Sequence, residues 1–167
     1  MTRLLLIISC LVFSLSVYAQ DSEHDGPDAV AEALLKTLEG PKNAERNWEM
    51  FESYFVEGAR ISLLSGPKDS TVVRHMTLTE FMEAAGANYK KNGFYEYEIT
   101  EPLVRIYGNT ATVWQPYGIK FDPEGEEFMR GINIYHMLKV NGRWLIAFLT
   151  WQTEAEDTPL SEWREEW

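Results

Sequence analysis

The sequence has one cysteine in 167 residues, Cys10, and it stands inside an apolar N-terminal stretch, followed by Leu11, Val12, Phe13 and Leu15. Beyond it there is no thiol to act as nucleophile and no pair to close a disulfide. Histidine is scarce as well: His24, His75 and His136, with no i, i+4 pair. A zinc site needs three or four clustered ligands, so neither a metal centre nor another cofactor is expected. No G-x-S-x-G elbow announces a serine hydrolase, and no glycine-rich loop announces a phosphate cradle. Basic residues are outnumbered, 15 Lys and Arg against 26 Asp and Glu, for a net charge of −11. Such a surface repels phosphate backbones and argues against nucleic acid as a partner.

The chain has one long apolar run. Arg3 precedes Leu4 to Val12, Phe13 to Val17 continue it, and Val17-Tyr18-Ala19 leads into Gln20 and an acidic stretch. This is the three-zone pattern of a signal peptide cut after Ala19. It is too short and too broken by serine for a membrane span, which takes about 20 apolar residues. Cleavage would remove Cys10 and leave an exported, cysteine-free domain without a membrane anchor. Export without disulfides fits a bacterial periplasm, or secretion, better than a disulfide-stapled miniprotein. The divisions are 1–19 signal peptide, 20–27 polar leader, 28–153 one α+β domain, and 154–167 an acidic tail.

What is abundant is aromatic: six Trp, eight Tyr and eight Phe. Rings in such number build either a thick core or the wall of a cavity. Periodicity places them. Ala29, Val30, Ala33, Leu34 and Leu38 recur at helical spacing from Asp28 until Gly40-Pro41. A second helix is expected from Asn43 to Phe55, with Trp48, Phe51, Tyr54 and Phe55 on one stripe. Ala59 to Leu64 and Thr71 to Met76 read as a strand pair around a turn at residues 65–69. Thr77 and Glu80 form a capping box opening a third helix that ends near Asn92-Gly93. From Phe94 to Thr153 the pattern is antiparallel sheet, with turns at Gly108-Asn109 and Asp122 to Gly125 and a two-residue hairpin at Asn141-Gly142. In the first of these strands Tyr95 and Tyr97 alternate with Glu96 and Glu98. If the tyrosines face inward, both glutamates are solvated. Leu160, Trp163 and Trp167 fall at i, i+3, i+7 and would give the tail one apolar stripe, packed on its own domain or docked on a second subunit.

The order helix, helix, strand pair, helix, long meander resembles the nuclear transport factor 2-like, or SnoaL-like, superfamily. The segments that carry the likeness are Trp48 to Phe55 (WEMFESYF), Asn109 to Tyr117 (NTATVWQPY), Gly131 to Tyr135 (GINIY) and Gly142 to Ala147 (GRWLIA). The resemblance implies a cone-shaped α+β fold, a curved antiparallel sheet wrapped around three helices, with a ligand pocket at its wide end and a homodimer through the outer sheet face. Candidate pocket residues are Trp48, Phe51, Tyr54, Phe55, Trp114, Tyr117, Tyr135 and Trp151 for the apolar wall, with Arg60 and Asn133 among the polar groups. A mostly apolar cleft with a few polar groups suits a small apolar or aromatic molecule.

A reaction is harder to assign from sequence. The superfamily's isomerases and cyclases use a carboxylate inside the pocket, but Asp69 and Asp122 sit in turns, and Asp21, Asp25, Asp28 and Asp157 lie outside any expected strand. The carboxylate therefore looks missing. Its dehydratases resemble a histidine–tyrosine design, for which His75, His136 and Tyr54 are the candidates. Tyr135 and His136 are adjacent strand residues and cannot both line the pocket. Arg60 or Arg130 could meet a ligand carboxylate, although Arg130 more simply offsets the acidic surface. Three functions are left: a binder of a small apolar ligand, a lyase or isomerase using His/Tyr acid–base chemistry, and an interaction or dimerisation module.

Overall fold

Helix α1, Pro27–Leu38, begins with the residue best suited to a helix start, because proline lacks only an amide that would be unpaired there. Asp28 in its first turn and Lys36 in its last complement the helix dipole. Val30, Ala31, Leu34, Leu35 and Leu38 form its buried stripe. The computed structural model describes residues 26–66 and 68–163. The signal-peptide and leader readings for residues 1–25 and the Trp167 end of the tail stripe lie outside the described residues.

Helix α2, Trp48–Ser53, is half the length that periodicity suggests. Tertiary contacts take both ends. In the segment before it, the Arg46 guanidinium donates to the carbonyls of Leu38, Gly40 and Ala44, and the Asn43 amide donates to Tyr89 O. Asn47 caps the helix instead, accepting from Met50 N at 3.0 Å. After it, Phe55 enters strand β1, Phe55–Ser65, which is irregular between Phe55 and Arg60, where Gly58 takes φ +78°. Strand β2, Val72–Met76, pairs with β1. Helix α3, Leu78–Tyr89, opens with the expected capping box: Thr77 Oγ1 accepts from Glu80 N at 3.2 Å and Glu80 accepts from Thr77 N at 2.8 Å.

The second half is sheet: β3 Tyr95–Glu98, β4 Leu103–Tyr107, β5 Thr110–Lys120, β6 Glu127–Val140 and β7 Arg143–Thr153. Asn141 and Gly142 both take positive φ, +52° and +86°, as a two-residue hairpin with the right twist requires. The seven strands form one curved sheet in the order β2-β1-β7-β6-β5-β3, with β4 also paired to β5. One pairing departs from the antiparallel expectation: β1 and β7 run parallel, which the long excursion through α3 and β3–β6 permits. Pro116 is tolerated in central strand β5 because it stands at the seam where that strand's second neighbour changes from β4 to β3. Ala147 is extra to the β6–β7 ladder, where Phe148 faces His136 and Ile146 faces Met137, and this bulge helps bend the sheet. The helices lie against the concave side, and their apolar faces meet Val113, Tyr135, Met137, Ile146 and Leu149 in one core.

Candidate functional site on the concave face

Strand β3 decides the site. Glu96 pairs with buried Ile119, while Tyr97 pairs with Gly118. A Cβ on Gly118 would stand 2.7 Å from the Tyr97 ring, so the missing side chain is what admits that ring on the outer side. There Tyr97 donates to Glu127 and lies under Lys120. With Tyr97 held outward, Glu96 must point inward, and only 7 % of its surface is exposed. This reverses the expectation for Tyr97 and Glu96, while Glu98, at the end of the strand, is exposed as expected. The inner carboxylate that looked absent is Glu96.

Around it lies a layer of polar groups on an otherwise apolar face. Asn133 Nδ2 of β6 donates to Glu96 Oε1 at 2.7 Å. Tyr135 donates from its hydroxyl to Gln115 Oε1 at 2.9 Å, and Gln115 Nε2 donates to Glu98 Oε2 at 3.2 Å. The row Tyr135–Gln115–Glu98 thus runs from the sealed interior to a residue open to solvent. Burial is the main cause that pushes the Glu96 carboxyl up to about 7; Glu39 adds to it and the Asn133 amide opposes it. Both protonation states are therefore populated at neutral pH, as a general acid–base requires. The Tyr135 hydroxyl is raised well above its ordinary range by burial first and by the charge of Glu96 second. Burial likewise raises Tyr117, whose hydroxyl sits over Gly131 and has no hydrogen-bond partner. The Thr153 hydroxyl approaches it without meeting hydrogen-bond geometry and is turned to Met129 Sδ at 3.8 Å. These phenols are neutral donors throughout the physiological range.

The residues picked from sequence divide into two groups. Phe51, Tyr54, Phe55 and Tyr135 belong to the core, with Trp48 and Trp151 packed against it and Tyr117 and Asn133 on the same concave face. Phe51 stacks on Phe81 at 5.3 Å and meets Phe55 at 5.0 Å, so these rings fill the interior as much as wall it. The structure does not bring Trp114, Arg60, His75 or His136 to that face. Trp114 alternates with fully buried Val113 and Gln115 and lies on the outer side. Arg60 is exposed and donates to the carbonyls of Gly58 and Ala59. His75 and His136 are exposed on the outer side, against Ser62 Oγ at 2.7 Å and Thr110 Oγ1 at 3.3 Å. Arg130 is on the surface, paired with Glu127 and Glu154. Among the described residues no group of three or more His, Cys, Asp or Glu could hold a metal ion. Sequence reasoning missed Glu96 and Gln115. The available signal was Gly118, which marks the side on which a ring of β3 must lie.

Concavities of about 300, 330 and 730 Å³ occur elsewhere. The first lies under the tail, between Trp114, Ile132 and Ile134 of the outer face and Pro159, Leu160 and Trp163. The second lies between the α1–α2 connection and the end of α3, and the third runs from Ser65 and Gly66 to Thr153 and Asp157.

No family model matches the sequence, and no curated protein matches it. Solved structures do match in shape. A nuclear transport factor 2-like family protein from Streptomyces avermitilis, with dehydratase as its proposed activity, is 12 % identical over 81 % of this chain and 98 % of its own, with a TM-score of 0.56. The fold is nuclear transport factor 2-like. A protein of unknown function with a cystatin-like fold from Nostoc punctiforme matches at 9 % identity over 76 % and 87 % of the two chains, TM-score 0.58. A second Nostoc punctiforme domain with a cystatin-like fold, also of unknown function, matches at 15 % identity over 77 % and 75 %, TM-score 0.57. At such identities the nuclear transport factor 2-like fold is shared and nothing further follows about chemistry.

Proposed function

We propose that this chain binds a small, largely apolar cyclic molecule at the polar end of the concave face, and that Glu96 moves a proton on it in a lyase- or isomerase-type reaction. One observation carries this reading: a carboxyl sealed on the inner face and held by one amide donor among rings, which burial pushes up to about 7. A carboxyl poised there can take a proton from a carbon next to a carbonyl and return it elsewhere. Tyr117, whose buried hydroxyl has no partner, is the neutral donor that would face the developing negative charge, since the Tyr135 proton is engaged by Gln115. This replaces the histidine–tyrosine design, since both fold histidines lie on the other side of the sheet. Carbon-13 NMR of the glutamate carboxyls tests the premise. Glu96 should titrate between pH 6 and 8, about two and a half units above a free glutamate, and its resonance should shift when a cyclic enone is added. Titration near 4.5, or an enone that perturbs only outer-face residues, would overturn the reading.

The same reading includes export and self-association. Cleavage after Ala19 would place the domain outside the cytoplasm, and N-terminal sequencing of the protein from its native host checks it. Leu138, Val140 and Phe148 are exposed on or beside the outer sheet face, as a homodimer surface would be. Sedimentation at micromolar concentration should show a dimer, and a monomer would refute it.

A further inference from the structure

The cleft of about 330 Å³ lined by Asn43, Arg46, Trp48, Gly86, Tyr89 and Lys90, with Ala44 and Glu45 at its edge, contains an unusual charge. Arg46 is only 8 % exposed. Its Nε donates to Leu38 O at 2.6 Å, and its two terminal nitrogens donate to Ala44 O and Gly40 O at 2.8 Å each. Gly40 is needed for that approach, because a Cβ there would lie 2.9 Å from the guanidinium. All three partners are neutral carbonyls, and Arg46 makes no ion pair with a carboxylate among the described residues. Buried charges are ordinarily paired with an opposite one. A guanidinium has five N–H donors, so three carbonyls leave two in hand. Lys90 adds a second positive charge to the lining, in a chain whose net charge is −11. Beside Arg46 the walls are rings: its guanidinium lies 4.8 Å from the Tyr89 ring centroid, and Trp48 runs parallel to Tyr89 at 6.2 Å.

We infer that this cleft is a second small-molecule site, distinct from the Glu96 layer, which takes a carboxylate carrying one apolar ring. The ligand's carboxylate supplies the missing counter-charge to Arg46 and Lys90, and its ring lies against Trp48 and Tyr89. The volume is at the low end for ligand sites and suits a single ring. Glu45 at the rim weakens the field and sets a ceiling on affinity.

The probes are benzoate, which has ring and charge, benzamide, which has the ring alone, and acetate, which has the charge alone. Binding is read from nitrogen-15 NMR shifts of the Trp48 indole, the Arg46 Nε and the Gly86 amide. Benzoate should bind at least about tenfold tighter than either of the others, as a charge-assisted pair plus ring contact implies. Arg46→Met should lose binding but also removes three hydrogen bonds from the loop, so two other variants are included. Gly86→Leu fills the cleft from α3, where a Cβ meets Trp48 at an ordinary 3.7 Å, and should abolish benzoate binding while the protein stays folded. Lys90→Glu should weaken it several-fold. Glu96→Gln removes a negative charge that reaches Tyr89 and should leave benzoate binding intact or stronger, whereas loss of binding in that variant would place the ligand at the concave face and overturn the inference. Equal binding of benzoate and benzamide, shifts centred elsewhere, or undiminished binding by Gly86→Leu would each overturn the inference.

Discussion

On the concave side of β5 and β6, Gln115, Asn133 and Tyr135 are buried and hydrogen-bonded, to Glu98, Glu96 and each other. One residue away in the same strands, Trp114, Ile134 and His136 lie on the convex side, half-buried or exposed. The polar amides are sealed while Trp114 and Ile134 are only half-buried, the opposite of what residue type alone suggests. A buried amide is tolerated when its hydrogen bonds are made, and the concave face makes them in a chain that ends at solvent. A convex face carrying Trp114, Ile132, Ile134 and Phe148 needs cover, and the tail segment up to Trp163 supplies part of it. Polarity is expensive on the concave side and apolar surface remains on the convex side; the proposed proton transfer rests on the first and the proposed dimer on the second.

That contrast can be broken at several points. The largest effect belongs to Tyr135→Ala: a fully buried ring is lost and Gln115 loses its donor, so about 3–5 kcal/mol of stability should disappear in urea unfolding. Trp114→Ala on the other side should cost well under half as much. Next is Glu96→Gln, measured as stability against pH. Because the folded-state carboxyl is raised from 4.5 to about 7, the wild type is most favoured below the unfolded value, and its stability falls as pH rises between the two. The shift corresponds to about 3 kcal/mol. In Glu96→Gln that slope should vanish, and the variant should gain on the wild type at pH 8. A wild type with flat stability between pH 4.5 and 7 would show that Glu96 is solvated after all.

Gly131→Ala tests the closeness of the concave layer. A Cβ there would meet Gln152 O at 2.1 Å and the Tyr117 hydroxyl at 2.6 Å, and the overpacking should cost about 1–3 kcal/mol by thermal unfolding. The smallest effect on stability belongs to Phe148→Ser on the convex face. The monomer should change by no more than about 0.5–1 kcal/mol, while sedimentation should show the proposed dimer dissociating. If that variant unfolds the monomer instead, the convex face is core and the contrast fails.

Much of this was legible in the chain. Thr77 and Glu80 announce a capping box and make one. Asn141-Gly142 announces a tight hairpin and turns one with both residues at positive φ. These are local events, decided within a few residues. Helix α2 was overestimated because Arg46 engages carbonyls up to eight residues away, a contact that leaves no periodic trace. The rings Phe51, Tyr54 and Tyr135 meet in one core, Phe51 and Tyr54 from a shared helical stripe and Tyr135 from a strand whose inward parity the fold decided. Trp114 was misplaced in the wall because a ring was assigned by residue type: Thr110, Ala111, Thr112 and Val113 alternate cleanly and put Trp114 on the threonine side, with Gln115 turned inward.

Tyr95-Glu96-Tyr97-Glu98 shows the limit best. Its period of two is plain, so a strand was determined by sequence. Which parity faces inward was not, because rings and carboxylates alternate equally well in either sense. The sequence by itself determined the elements, their order and the hairpin turns, since propensity, capping and turn geometry act over short range. The tertiary structure decided the parity of β3, through a glycine twenty-one residues after Tyr97 that leaves room for its ring. With that choice it turned a surface glutamate into a buried acid near neutrality, because desolvation depends on what surrounds a carboxyl and not on what precedes it in the chain.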